Sequence, residues 1–510
     1  MIKKQVIVLL FTTSIFACAQ VPNTFELKLD ISVSSELHDQ LKPNGRLLVF
    51  LSESARGEPR FQLWPAGNNN IYAKNINSWD PGKSISMNSG SGYIKTPEFD
   101  MHVIPEGTYY LQVLWDQDRA ESRSNAPGNL YSEVKMIDLT EDLSLDVVLG
   151  NVVPPRKFID HEYVKLVEME SKLLSDWWNK PVILKASILL PDGYFDIPST
   201  KYPVRYNIAG YGGRYTRVSY LVERDTTFSN WWFSGEAPQI INVFLDGEGP
   251  FGDSYQLDSE NNGPYGEALT KELIPYIEKE FRGIGTPESR FVDGCSTGGW
   301  VSLALQIFYP DFFNGVWSYS PDAIDFENYQ LINIYKDDNA FINEWGALRP
   351  VARDITGDPI LTVKDFIQYE NVLGYSDSYV TSGGQFSAHT ALYSPKGEDG
   401  LPIPLFDPYT GTIDHEVAEK WKKYDLKMIV EENWNTLGPK LQRKIWIWMG
   451  DMDNFILNPA TRAFDEFLKT TENPKSDATI TFTPMQGHCW QFNHKDILEM
   501  MNEKYMGRDN

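Results

Sequence analysis

Phe291-Val292-Asp293-Gly294-Cys295-Ser296-Thr297-Gly298-Gly299-Trp300 is the stretch that decides how the rest of the chain is read. Phe291–Asp293 is a short run suited to a buried strand. A helix is expected to begin just after Ser296 and to stop before Pro310, the residue type that ends helices. Between them stands Gly294-x-Ser296-x-Gly298. At a strand-to-helix turn this spacing is that of a nucleophile elbow, in which a strained serine projects its Oγ at the head of a sheet. Small flanking residues let so tight a turn close, and the helix N-terminus behind it favours negative charge on a reacting oxygen. The alternative is a loop that carries the pattern by chance.

The same grammar extends on both sides. Val182–Leu190, Val204–Ala209, Ile240–Leu245, Val316–Tyr319, Ile445–Met449 and Thr479–Phe482 are apolar runs of strand length. A helix is expected from about Tyr265 to Phe281, where Leu269, Leu273, Ile277 and Phe281 recur every four residues. Strands alternating with helices predict an α/β domain over 156–505, with a mostly parallel doubly wound sheet. Residues 326–440 break the rhythm with Gly, Pro and acidic residues, and read as an insertion over the sheet's C-terminal edge containing one helix, His415 to Trp434.

A serine nucleophile needs a base, and the chain has seven histidines. His38 and His102 fall in the front region, His161 near its end, and His389 and His415 in the insertion. His488 follows the last strand through Met485-Gln486-Gly487, on a loop where its ring can swing over the elbow. His494 reads as an exposed residue at the start of a helix. An acid is expected after Ile445–Met449, in Gly450-Asp451-Met452-Asp453-Asn454-Phe455, where either Asp451 or Asp453 could hold the imidazole in the right tautomer.

These segments together resemble the putative esterase family of α/β hydrolases, which includes esterase D, enterochelin esterases and acetylxylan or feruloyl esterases. The resemblance rests on Leu190–Tyr194, Tyr202–Tyr206 leading to Gly210-Tyr211-Gly212-Gly213, Gly294–Gly298, Gly450–Phe455 and Gly487–Trp490. It implies an α/β-hydrolase fold and an acyl-serine esterase, with Ser296 as nucleophile and His488 as base. The family's acid stands three residues after the glycine, which favours Asp453 over Asp451. An oxyanion hole is implied at the amides of Thr297 and of Tyr211 or Gly212. The family usually has histidine before these glycines, whereas this chain has Ala209. That keeps the backbone donor and removes a side chain.

Of the three cysteines, Cys295 and Cys489 each adjoin a proposed catalytic residue. If Ser296 and His488 meet, their neighbours approach the Cα separation of about 4.4–6.8 Å that a disulfide spans. The same Cys-Ser, Asp, His-Cys order resembles the tannase and fungal feruloyl esterase family. Two buried free thiols are the alternative.

Residues 22–150 read differently. From Phe25 to Val33 apolar and polar residues alternate, and Leu47–Leu51, Tyr109–Trp115 and Leu143–Leu149 continue a strand pattern separated by Gly, Asn and Ser clusters. This predicts a small antiparallel β-sandwich closing at Pro154-Pro155. Its expected role is packing or spacing, with carbohydrate binding through exposed aromatics such as Trp64 as the sharper reading.

Lys3 and Lys4 precede the apolar run Val6–Ala17, the form of an export signal over 1–19. Ala17-Cys18-Ala19 fits ordinary cleavage, and Ile15–Cys18 resembles a loose lipoprotein box with Cys18 lipidated. A periplasmic, outer-membrane lipoprotein or secreted protein is expected, tethered to membrane only through such a lipid. The 510 residues carry a net charge of −24, which becomes −26 once Lys3 and Lys4 are removed. That charge disfavours nucleic acid. No P-loop, dinucleotide fingerprint or metal-ligand spacing occurs, so neither cofactor nor metal is expected. The expected partner is an ester substrate, small or polysaccharide, with acetyl or hydroxycinnamoyl esters on carbohydrate leading. An acyltransferase or siderophore esterase with the same triad, and a non-catalytic binding protein on a hydrolase scaffold, are the other readings.

Overall fold

The computed structural model describes residues 23–67 and 69–507; the expected signal segment and Cys18 lie outside them. Among the described residues no helix is long and apolar enough to cross a membrane.

Eight strands form the sheet that carries the elbow. Their spatial order is Val164–Glu170, Ile183–Leu189, Ile241–Leu245, Val204–Ile208, Arg290–Cys295, Val316–Tyr319, Ile445–Gly450 and Thr479–Thr483. The first two pairings are antiparallel and the other five parallel. This is the α/β-hydrolase arrangement. The inner strands Val204–Ile208, Ile241–Leu245 and Arg290–Cys295 are buried at every position, as near-continuous apolar sequence requires of strands covered on both faces. The edge strand Val164–Glu170 was not expected, because Lys165, Glu168 and Glu170 interrupt its apolar signal.

The expected helix from Tyr265 to Phe281 is present and ends at Glu280. Its middle turn, Leu269–Leu273, widens into a π-helix just ahead of Pro275, which has no N–H to give the ladder. Leu269, Leu273 and Ile277 are buried in the main core as their spacing required.

The segment between Val316–Tyr319 and Ile445–Gly450 differs from expectation. The single helix from His415 to Trp434 is instead a series, His415–Trp421, Leu426–Glu432 and Trp434–Leu441. Asp425 interrupts it by leaving the helical region and capping the next helix, its carboxylate accepting from the Met428 amide at 3.1 Å. Two further helices, Val363–Leu373 and Gln385–Tyr393, were missed; the second is buried along its length and shows no amphipathic stripe. Phe326, Val363, Phe386 and Trp421 all belong to the main hydrophobic cluster, so the insertion is built into the core.

The front region holds one hydrogen-bonded sheet of nine strands, with Thr24–Phe25 and Ile104–Pro105 paired apart from it. It departs from a purely antiparallel sandwich where Leu143–Leu149 runs parallel to Leu27–Val33. Alternate residues Leu27, Leu29 and Ile31 share a core with Leu47, Val49 and Leu51 from the strand Gly45–Ser52. That strand is buried at every position because its other face, Leu48 and Phe50, packs on Tyr369 and Val372 of the insertion. Beside this contact the fully buried Arg46 donates to the Val372 carbonyl at 2.9 and 3.0 Å and pairs with Asp377.

Candidate active site

Ser296 sits between strand Arg290–Cys295 and helix Thr297–Phe308 with φ 61° and ψ −127°, a conformation that L-residues rarely adopt. The strain is held from both sides: the Ser296 amide donates to Tyr319 at 2.9 Å and its carbonyl accepts from Trp300 at 3.0 Å. A Cβ on Gly294 would lie 2.4 Å from the Gly298 backbone, and one on Gly298 would lie 2.3 Å from the Ile208 carbonyl. Both positions therefore require glycine. Behind the turn, Asp293 forms a fully buried bidentate pair with Arg205 at 2.6 and 2.7 Å, tying the elbow strand to its neighbour.

His488 lines the same cavity as Ser296, and Asp453 stands behind its ring. The imidazole Nδ1 lies 2.7 Å from Asp453 Oδ2, and Asp453 is fully buried. Its other oxygen accepts from the Phe455 amide at 3.0 Å and the Leu457 amide at 3.3 Å, so the carboxylate cannot rotate freely. With Nδ1 donating to a carboxylate, Nε2 is left as an acceptor, and it is buried without a partner among the described residues. Burial pushes the His488 pKa down, but the charge and hydrogen bond of Asp453, with Asp322 behind them, outweigh it and hold the ring above its ordinary 6.5. Asp451 instead pairs with Arg462. His494 departs from expectation: it opens its helix but is half-buried, 2.9 Å from Arg205, and burial with Arg205 and Arg217 keeps it neutral.

Gly210 lies against the elbow, where a Cβ would come within 3.7 Å of Ser296. The turn closes through Gly213 N to Gly210 O at 3.0 Å, and among the described residues the amides of Tyr211 and Gly212 donate to no protein group. Arg123, from the front region, braces this turn. It donates to the Gly212 carbonyl at 3.2 Å, lies over the Tyr211 ring at 5.1 Å and pairs with Glu248 at 2.8 Å. Thr297, the other expected donor, is fully buried at the start of the helix. The sulfurs of Cys295 and Cys489 lie at bonding distance, with Cα atoms 6.0 Å apart.

Several residues at the site escaped sequence reading. Asp322 accepts from Tyr255 at 2.7 Å, Gln385 at 3.0 Å and Thr297 Oγ1 at 3.1 Å, with His389 3.5 Å away. Burial would raise its pKa, but His389 and the hydroxyl of Tyr255 hold it below the usual carboxylate range. Tyr329 completes the group at 2.6 Å from His389 Nδ1. Only the position of Asp322 after a strand end marked it, and His389 lies on a helix without periodicity. Trp300, on the elbow helix, is core, and Trp490, beside Cys489, is exposed.

A family model described as putative esterase matches residues 183–496, more than half of the chain. The chain belongs to the putative esterase family. It is accordingly a carboxylic ester hydrolase. No curated protein sequence matches it. Among solved structures, a ferulic acid esterase is similar over 67% of this chain and 97% of its own, at 17% identity and TM-score 0.41. An S-formylglutathione hydrolase from Agrobacterium tumefaciens is similar over 68% and 96%, at 14% and 0.36. A CE1 ferulic acid esterase from Anaeromyces mucronatus, solved with ferulic acid, is similar over 68% and 89%, at 14% and 0.32.

Proposed function

We propose that the protein is an exported serine esterase that acts through an acyl-Ser296 intermediate. The observation that carries this is the strained Ser296 sharing a cavity with His488, whose Nδ1 is fixed by Asp453 and whose Nε2 is unclaimed. In the reaction Nε2 takes the Ser296 hydroxyl proton as Oγ attacks the ester carbonyl. Asp453 stabilises the resulting imidazolium. The tetrahedral oxyanion is received by the amides of Thr297 and of Tyr211 or Gly212, placed beside a helix N-terminus. His488 then returns the proton to the leaving alcohol. Water, deprotonated by the same nitrogen, cleaves the acyl-serine bond and releases the acid.

A covalent Cys295–Cys489 bridge pins the nucleophile turn to the base loop in this reading. Export, expected from the N-terminal sequence, would supply the oxidising surroundings such a bridge needs. The cavity, about 870 Å³, falls in the range that holds a drug-sized ligand. An acetyl group would occupy little of it, so hydroxycinnamoyl esters on carbohydrate are the favoured substrates over acetyl esters.

Intact mass after a fluorophosphonate probe tests the nucleophile. Wild type is expected to gain one adduct on the Ser296 peptide and Ser296→Ala none, and non-reducing peptide maps to show Cys295 linked to Cys489. An unlabelled, folded wild type would move the reading to a binding protein on a hydrolase scaffold.

A further inference from the structure

The cavity above Ser296 is not closed by the hydrolase portion alone. Residues 63–65 and 122–125, from two loops of the front region, line it together with the insertion helix Val363–Leu373. Trp64 stands at the junction. Its ring meets Phe366 of that helix edge-on at 6.1 Å and 87°, and Phe455 at 6.1 Å and 78°. Phe455 in turn lies edge-on to the His488 ring at 4.9 Å. An unbroken aromatic line therefore runs from the front region to the proposed base. Trp64 nevertheless keeps 44% of its surface exposed, so these contacts fix the indole while leaving much of it open. Leu63, Pro65 and Leu373 continue the apolar lining beside it. A flat aromatic ring needs an apolar slot with ring edges and faces, which is what these side chains offer, while Ser122, Ser124 and Asn125 of the second front-region loop bring polar groups to the same cavity.

We infer that the front region forms a wall of the substrate site and that Trp64 is a specificity-determining residue, packing against a planar aromatic ring carried by the ester. This rests on the esterase reading and deepens it. The ring can arrive on the acyl side or on the alcohol side, and the test separates the two.

Wild type, Trp64→Ala and Trp64→Phe are compared on methyl ferulate, with its ring on the acyl side, phenyl acetate, with its ring on the alcohol side, and ethyl acetate, with none. In Trp64→Ala the kcat/KM ratio of one ring-bearing ester over ethyl acetate is expected to fall by about tenfold, and Trp64→Phe to recover most of it. Which ester falls identifies the side. Calorimetric titration of methyl ferulate and phenyl acetate into Ser296→Ala and into the Ser296→Ala, Trp64→Ala double variant reads the same wall without turnover. There too the affinity for one of them should weaken by about tenfold. Equal losses on all three esters, or unchanged ratios together with unchanged affinities, overturn the inference. Failure of the probe to label wild type at Ser296 sinks the esterase reading separately, with the titrations still deciding the wall.

Discussion

Protonation of His488 sets the acid side of the expected activity profile, because only the neutral ring can take the Ser296 proton. Asp453 and Asp322 favour the charged ring, so the acid limb of kcat/KM should fall above pH 6.5, and activity should be lost as pH drops through it. Replacing Asp453 with Asn removes the larger of these charges. The limb should then move to lower pH while kcat falls by about 10³–10⁴-fold, since an amide no longer enforces the tautomer; a limb that stays in place would assign the titration to another group. Cys489→Ser paired with Cys295→Ser is expected to lower unfolding stability by about 2–5 kcal/mol in denaturant melts, the range for opening a loop that here spans 194 residues. At this scale Ser296 and His488 were legible because each occupies a fixed position relative to a strand end and to small neighbours. Asp453 was favoured over Asp451 only through the family's spacing; what distinguishes them in the structure is burial and two accepted amide bonds, neither of which is written in the local sequence. Asp322 and His389 were illegible for the same reason, since their meaning comes from a contact across 67 positions.

The strands of the hydrolase sheet were readable because burial on both faces demands unbroken apolar runs, and the elbow helix because Pro310 stops it. The insertion was misread because its helices are short and one, Gln385–Tyr393, is buried all round, so no polar face supplies a period. Two pairs between elements carry predictions. Arg205 and Asp293 join neighbouring strands behind the elbow with no exposed surface, so Arg205→Ala strands a buried carboxylate and should cost about 3–5 kcal/mol in chemical denaturation. Arg123 braces the Tyr211-Gly212 turn from the front region without touching Ser296. Its role is positioning: Arg123→Ala is expected to lower kcat by about tenfold to a hundredfold on ring-bearing and ringless esters alike, with KM little changed. A loss confined to KM, or to one class of ester, would count against it. Arg123→Lys keeps the charge but not the fork, and should recover little.

The whole molecule is held together by a seam the sequence showed only indirectly. Leu47–Leu51 is apolar at five consecutive positions, more than a strand with one wet face requires, and the surplus face is the one that meets Tyr369 and Val372. The front region thus packs on the hydrolase portion, one of its two expected roles, and Trp64 lines the cavity that holds Ser296 and His488. Expressed alone, residues 156–507 should expose this seam, melt at lower temperature than the full chain and self-associate on size-exclusion chromatography; a monomer of unchanged Tm would show the seam to be dispensable. The wide separation of Trp64 and His488 along the chain also acts as a clock on biogenesis. They stand 424 positions apart, so at ~5–20 residues per second a ribosome leaves the cavity without its base for roughly 20–85 s after its aromatic wall has emerged. Until His488 is added the nascent protein lacks its proposed base, so a chain that terminates before it is expected to be inert toward esters.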